Sequence, residues 1–356
     1  MALAYLLAEN LRCWRRLEIE LSPELNLVWG ANGAGKSSLL EAAFLLGRGR
    51  SFRTHTTERV IAHGAERLIV FGRVAGIRAS SAEHQIGVEV SRTTGTRARI
   101  DGRNAESLAE LPTALPVQAL DPDIHKLIEQ GPERRRRWLD WAVFHVEPNF
   151  GSTWARYMRG VRQRNAALKS GDASAQAWDA ELSALGEELA AARSRLLDRL
   201  RSVWTPTVAA LAGLEPSLAL SRGWPQEVSL AAALEAAFAR DRERGTTTVG
   251  PHRADVQLRV NNRAAREVLS RGQQKLVASA MVLAQLKLLR EEISLRPLLL
   301  LDDPAAELDD DHLHTYVREI GALECQMIVT SLHAEVSVFG RPNRVFHVEQ
   351  GGVVGV

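Results

Sequence analysis

The sequence has 356 residues, 45% hydrophobic and 25% charged, an ordinary globular composition that excludes disordered, collagen-like and disulfide-scaffold chains and suggests two or three packed units. Its formal charge is +2, with five lysines among 45 basic residues, and its two cysteines, Cys13 and Cys325, have neither metal nor redox spacing. No apolar run is long enough to cross a bilayer, so a cytoplasmic protein without a membrane role is expected.

Charge is unevenly placed: residues 48–103 carry a net +6, 134–169 a net +7 and 291–335 a net −9. Such asymmetry fits a nucleic-acid partner and also fits a merely solvated basic surface.

Residues 2–8 are apolar, lack a preceding basic segment and are closed by Glu9, so a first strand is expected there and not a leader. Leu25-Asn26-Leu27-Val28-Trp29 reads as a second strand. It runs into Gly30-Ala31-Asn32-Gly33-Ala34-Gly35-Lys36-Ser37, a full GxxxxGK[ST] match, followed by Ser38 and a helix with Leu39, Leu40, Ala43, Phe44 and Leu46 on one face. Glycine lets successive N–H groups converge on phosphate oxygens at a helix N-terminus, lysine neutralises the β- and γ-phosphates, and the Ser37 hydroxyl can ligate Mg²⁺. Nucleoside triphosphate binding follows from this segment alone. Residues 66–101 switch to period two, with Thr94-Gly95 and Asp101-Gly102 as turns, and predict an antiparallel meander. Gln118 closes the apolar stretch Leu115-Pro116-Val117.

The middle of the chain is helical. Arg134, Arg135, Arg136 and Arg137 open a helix, where four consecutive side chains cannot face one partner, so one or two are expected to pair with acids. Trp154, Tyr157, Val161 and Leu168 line the next helix, and Gly171 lies in the turn that follows. Trp178, Leu182, Leu185, Leu189, Ala192 and Leu196 then recur at 4,3,4,3,4 spacing, a seam too short for a coiled-coil arm that reads as the core of a helical subdomain. From Thr246 short strands return. Ser270-Arg271-Gly272-Gln273-Gln274-Lys275 precedes a helix over 273–290, which is either a second anion-binding helix N-terminus or a capped core helix. Leu298-Leu299-Leu300-Leu301 is an apolar strand ending in Asp302 and Asp303. A carboxylate there can hold the metal and a second can deprotonate the attacking water, so Asp302 is assigned to Mg²⁺ and Asp303 to the base. A helix over 309–322, a strand over 326–329 and a hairpin at Gly351-Gly352 complete the chain. The pattern predicts an α/β domain over 1–130 plus 246–356, with a helical insertion over 131–245.

Phosphate loop, Ser-x-Gly-Gln run and acidic strand together resemble the ABC-type ATPase head shared by SMC and Rad50 proteins, and Ala306-Glu307-Leu308-Asp309 resembles its D-loop. Leu11-Arg12-Cys13-Trp14-Arg15, Gly49-Arg50-Ser51-Phe52-Arg53-Thr54, Gly131-Pro132-Glu133 with the four arginines, and Gly250-Pro251-His252-Arg253 extend the likeness along the whole chain. With them the chain is similar to the RecF family of bacterial recombination and gap-repair ATPases. The resemblance implies an α/β ABC-type head, a P-loop sheet with an antiparallel β subdomain, and an inserted α-helical subdomain. It implies that Lys36, Ser37, Ser38 and Arg12 meet ATP, while Ser270, Gly272 and Gln273 act as a signature on the nucleotide of a second copy. Gln118 becomes the Q-loop glutamine at the γ-phosphate and metal, an ordinary strand-end amide being the alternative. His333, in Thr330-Ser331-Leu332-His333, becomes the switch, a surface or capping histidine being the alternative. Asp303 stands where transporters and Rad50 have glutamate and implies slow turnover.

The resemblance further implies ATP-driven homodimerisation on duplex, gapped or junction DNA, slow DNA-dependent hydrolysis for release, and cooperation with RecO and RecR in loading RecA. Backbone contacts to DNA then fall to Arg48, Arg50, Arg53, Arg134, Arg135, Arg136, Arg137, Arg156, Arg159 and Arg162. An ABC-type ATPase driving a protein or membrane partner without DNA is the other reading, against which the arginine-rich segments and the imperfect signature at Gln274 weigh. A nucleotide switch with negligible hydrolysis is a third.

Overall fold

Continuous apolar runs and period-two runs lead to two different sheets in the computed structural model, which describes residues 2–54, 56–76, 83–171, 173–304, 309–334 and 337–354. Two units emerge, one of Met1–Ile124 with Ser294–Val356 and one of His125–Ile293. The chain enters the first unit through β1 (Ala2–Leu11), β2 (Trp14–Glu20), β3 (Leu25–Trp29), α1 (Lys36–Arg48), β4 (Arg67–Ala75), β5 (His84–Ser91), β6 (Gly95–Ile100), β7 (Arg103–Asn104), α2 (Leu111–Ala114) and β8 (Val117–Leu120). The second unit comprises α3 (Lys126–Glu129), α4 (Pro132–Val146), α5 (Phe150–Ser170), α6 (Asp179–Ala212), β9 (Ser217–Ser221), α7 (Leu230–Arg244), β10 (Asp255–Val260), β11 (Arg263–Ala264), α8 (Ala265–Val268) and α9 (Arg271–Ile293). The return supplies β12 (Leu298–Leu301), α10 (Asp310–Gly321), β13 (Met327–Ser331), β14 (Arg344–Glu349) and β15 (Gly352–Val353).

In the first unit, β2-β1-β4-β5-β6-β7 form an antiparallel sheet and β15-β14-β3-β13-β12-β8 a sheet that is parallel apart from the β14–β15 hairpin. This is the P-loop sheet with its antiparallel β subdomain. All four residues of β12 are buried, as a parallel strand covered on both faces requires. Helix α1 packs against both sheets through Leu39, Leu40, Leu45 and Leu46, each fully buried. At the register shift between Leu3 and Tyr5 of β1, the Gln326 side chain accepts from Leu3 N–H (2.7 Å) and donates to Leu3 O (2.8 Å). That buried amide satisfies both backbone polar groups of Leu3, which lies beyond the stretch of β1 paired with β2.

In the second unit, Gly171 ends α5 with its N–H on Ala167 O in the left-handed conformation, as a helix-terminating glycine does. Helix α6 runs beyond the expected seam to Ala212, because Leu200, Trp204 and Leu211 continue the buried stripe. Helix α7 lies within the expected helical insertion, whereas strand β9 occupies residues for which no strand was expected. Residues 246–293, expected with the ATPase domain, belong by packing to the second unit, since β10 pairs with β9 and α9 packs along α6.

His252 joins α5 to the loop after α7. Its Nε2–H donates to Thr247 O (3.1 Å), so Nδ1 accepts the Tyr157 hydroxyl (2.8 Å) and the ring is neutral. Burial pushes its pKa down to about 4. Below an unfolded-state pKa of about 6.5 the unfolded chain takes up a proton that the folded ring refuses. Stability from this residue is therefore complete above about pH 6.5 and is lost as pH falls toward 4, by roughly 3 kcal/mol in all. Urea midpoints compared between neutral pH and about pH 5 should fall clearly less for His252→Gln than for the wild type. Equal falls would refute the account.

Candidate functional site

The phosphate loop joins the C-terminal end of β3 to α1, and its backbone requires glycine where it curls. Gly30 has φ +154°, and a Cβ there would lie 2.2 Å from Val348 O of β14. Among the described residues, the N–H groups of Asn32, Gly33, Gly35, Lys36 and Ser37 have no protein acceptor, a converging set of donors at a helix N-terminus. Lys36 Nζ, largely buried, donates to Gly30 O (2.7 Å) and Ala31 O (3.0 Å). Burial pulls its ammonium below the ordinary lysine value, while Asp303 and Asp302 oppose that shift.

The acidic strand end closes the site from across the sheet. The Ser37 hydroxyl donates to Asp302 Oδ1 at 2.9 Å, joining residues 265 apart in sequence. Thr330, near the end of β13, donates its hydroxyl to the same Asp302 oxygen (2.8 Å) and accepts the Asp303 N–H (2.9 Å). Thr330 was not expected to matter, and its signal is a buried hydroxyl, beside that of Ser331, after three apolar residues of β13. Asp303 sits at φ +49°, and burial raises its pKa above the ordinary carboxylate value, with Lys36 and His333 opposing and Asp302 reinforcing the rise. Hydroxyl and carboxylate oxygens side by side are the hard ligands Mg²⁺ takes, and the acceptor-free amides with the ammonium fit a polyphosphate. The residues present thus fit a Mg²⁺–nucleotide.

Other expected residues have different settings. Arg12, at φ +53°, makes two hydrogen bonds (2.8 and 2.9 Å) to Glu41, a fully buried carboxylate that also accepts from Ser51. Gln118 lies inside β8, paired with Leu299 of β12, and accepts from Arg48 (3.3 Å), so it is not the strand-end amide that was its alternative reading. His333 is exposed and its N–H donates to Ser331 Oγ (3.2 Å). Ser270 and Gln273 form a reciprocal capping box, Gln273 N–H to Ser270 Oγ (3.3 Å) and Ser270 N–H to Gln273 Oε1 (3.0 Å). With exposed Gly272 they leave the N-terminus of α9 open to solvent. Residues 306–308 of the D-loop segment lie outside the described residues.

The arginines divide by burial, and one expectation is corrected. Arg135 is buried, with both ends of its fork on Asp255 (2.8 and 3.0 Å) and Nη1 on the carbonyls of Leu127, Ile128 and Gln130, so it offers nothing to a phosphate. Arg136 is half-buried on Ala254 O (2.6 Å), and Arg134 and Arg137 bond Gln130 and Glu133. Arg48 and Arg50 are half-buried and Arg53 exposed. On α5, Arg156 pairs with Glu181 in the open, whereas Arg159 and Arg162 are exposed with no ion pair among the described residues. No helix among those residues is long and apolar enough to cross a membrane.

Residues 2–353 match the family described as RecF/RecN/SMC N terminal domain. The chain is 39% identical to the DNA replication and repair protein RecF of Pseudomonas syringae pv. tomato over 361 residues, 99% of this chain and 98% of that protein. It is 35% identical to the protein of the same name from Shewanella baltica, over 99% of each. A solved structure of the recombination mediator protein RecF-ATP in the RecFOR pathway superposes with a TM-score of 0.87 at 26% identity, covering 100% of this chain and 97% of that one. An Smc head bound to the C-winged helix domain of ScpA shares the fold, with a TM-score of 0.60 at 18% identity and coverage of 100% and 98%.

Proposed function

The chain belongs to the RecF/RecN/SMC N-terminal-domain family, and from that premise we propose that it is a RecF-type DNA-repair ATPase in which ATP closes two copies on duplex DNA beside a single-strand gap and slow hydrolysis reopens them. The observation that carries this reading is the Ser37 hydroxyl on Asp302, which joins phosphate loop and acidic strand end into one site. Ser37 and Asp302 would hold Mg²⁺, which when bound neutralises charge on the β- and γ-phosphate oxygens. Lys36 exchanges its two loop carbonyls for phosphate oxygens. Asp303 accepts a proton from the attacking water, and burial holds its pKa above the ordinary carboxylate value. Gln118 and His333 would sense the γ-phosphate. Ser270, Gly272 and Gln273 at the open end of α9 would cover the nucleotide of a second copy, so ATP binds the dimer more tightly than the monomer and drives the closure. Cooperation with RecO and RecR in loading RecA and a cytoplasmic location belong to the same reading, and the RecFOR pathway named for the solved RecF-ATP structure supports the cooperation.

Sedimentation velocity with a fluorescent gapped duplex tests this without nucleotide, with ATP–Mg²⁺ and with a non-hydrolysable analogue. A DNA-bound dimer that forms only with nucleotide is expected. A nucleotide-dependent dimer that leaves DNA free would instead support action on a protein partner. Arg159→Glu with Arg162→Glu should weaken duplex binding about tenfold or more and lower the salt slope by about two, if both meet phosphates. Unchanged affinity and slope would remove α5 from the DNA surface.

A further inference from the structure

Two carbonyl groups of the phosphate loop are anchored from outside it. Trp14, fully buried at the start of β2 just after the β1–β2 turn, donates its indole N–H to Gly35 O at 3.1 Å. Gly351, in the turn between β14 and β15, donates its N–H to Ala34 O at 3.1 Å. Helix α1 adds the Ser38 and Leu39 N–H groups to Gly35 O, also at 3.1 Å each. A trans peptide group carries its C=O and N–H on opposite sides. Anchoring the Ala34 carbonyl therefore sets the direction of Gly35 N–H, and anchoring the Gly35 carbonyl sets that of Lys36 N–H. These are two of the loop amides that have no protein acceptor among the described residues.

Packing leaves the loop little alternative. A Cβ on Gly35, at φ +114°, would lie 2.8 Å from Trp14 Nε1 and 2.9 Å from Cys13 Sγ. A Cβ on Gly351, at φ +74°, would lie 2.7 Å from Cys13 O. Both turns therefore touch the loop and each other.

We propose that Trp14 and Gly351 are positioning residues for triphosphate binding, holding the Gly35 and Lys36 amides where phosphate oxygens collect them. The inference rests on the nucleotide reading above. Neither residue touches substrate; both act through the two peptide groups they anchor. The cost of ordering the loop is met during folding, before the nucleotide arrives.

Titration with a fluorescent ATP analogue, steady-state ATP hydrolysis and nucleotide-free melting would be measured for the wild type, Trp14→Phe and Gly351→Ala. Trp14→Phe keeps an aromatic ring in the core and removes the indole N–H. Its Kd and KM should rise about five- to tenfold with kcat at saturation within about twofold, because the amides bind ground and transition states alike. Gly351→Ala leaves Trp14 intact, acts on a surface turn and should raise Kd in the same sense, which keeps the proposal exposed if Trp14→Phe fails to fold. Lower melting temperatures with unchanged Kd in the folded variants would overturn it, leaving Trp14 as core filling only. A wild-type protein that binds no analogue would sink the nucleotide reading and this inference together. Normal wild-type binding with unaffected variants would sink this inference alone.

Discussion

Asp303→Asn is expected to lower ATP turnover by about 10²- to 10⁴-fold, the usual contribution of a positioned general base, while nucleotide affinity changes little. Asparagine has nearly the same shape, and the backbone N–H that anchors this position to Thr330 is unaffected. What is lost is the proton acceptor. The variant should consequently accumulate as a nucleotide-bound dimer, seen by sedimentation with ATP instead of a non-hydrolysable analogue. Because burial raises the Asp303 pKa, wild-type turnover should also decline on acidification at a higher pH than an ordinary carboxylate would dictate. Single-turnover hydrolysis across pH measures both effects. Hydrolysis by the variant at the wild-type rate would take Asp303 out of the chemistry.

The second large effect concerns stability in the second unit. Arg164 of α5 is fully buried, with Nε on Asp179 (2.7 Å) and Nη1 on Asp241 (2.7 Å) and Thr247 (3.1 Å). Asp241 is itself fully buried and also accepts from Thr248 N–H (3.0 Å) and its hydroxyl. Arg164→Met removes the cation and leaves a buried carboxylate uncompensated, which costs about 3–5 kcal/mol. Adding Asp241→Asn removes that charge and should restore a substantial part of the loss, since much of the penalty is the stranded ion and not the lost attraction. Urea unfolding of the single and double variants distinguishes the two contributions. A single variant within about 1 kcal/mol of the wild type would show the pair to be dispensable. The network also assigns a task to Gly250-Pro251-His252-Arg253. His252 and Arg253 both bond Thr247 O, and Arg193 bonds Pro251 O, so the segment is tied into the second unit.

The phosphate loop was legible because its demands are local: glycine where the backbone curls, then lysine and serine opening a helix with one apolar face. The meander and β12 were legible for a similar reason, since alternation and continuous apolarity record how many faces of a strand are covered. The paired carboxylates could be read as chemistry, but the partners that organise them could not. Thr330 lies 28 residues from Asp302 and reaches it only because β12 and β13 are parallel neighbours. Arginine was the least legible residue. Arg135, Arg164 and Arg193 are buried on carboxylates while Arg159 and Arg162 stand in solvent, yet a count of charge along the chain treats all five alike. Likewise Ser270 and Gln273 announce a helix start, and only the folded chain shows their side chains bonded to each other's backbone while the helix end stays open. What a residue's near neighbours dictate, its backbone geometry and the apolar face it shares, was set by the sequence alone. Which polar group meets which across hundreds of residues was decided by packing, because a buried charge takes whatever partner the tertiary fold brings within hydrogen-bond reach.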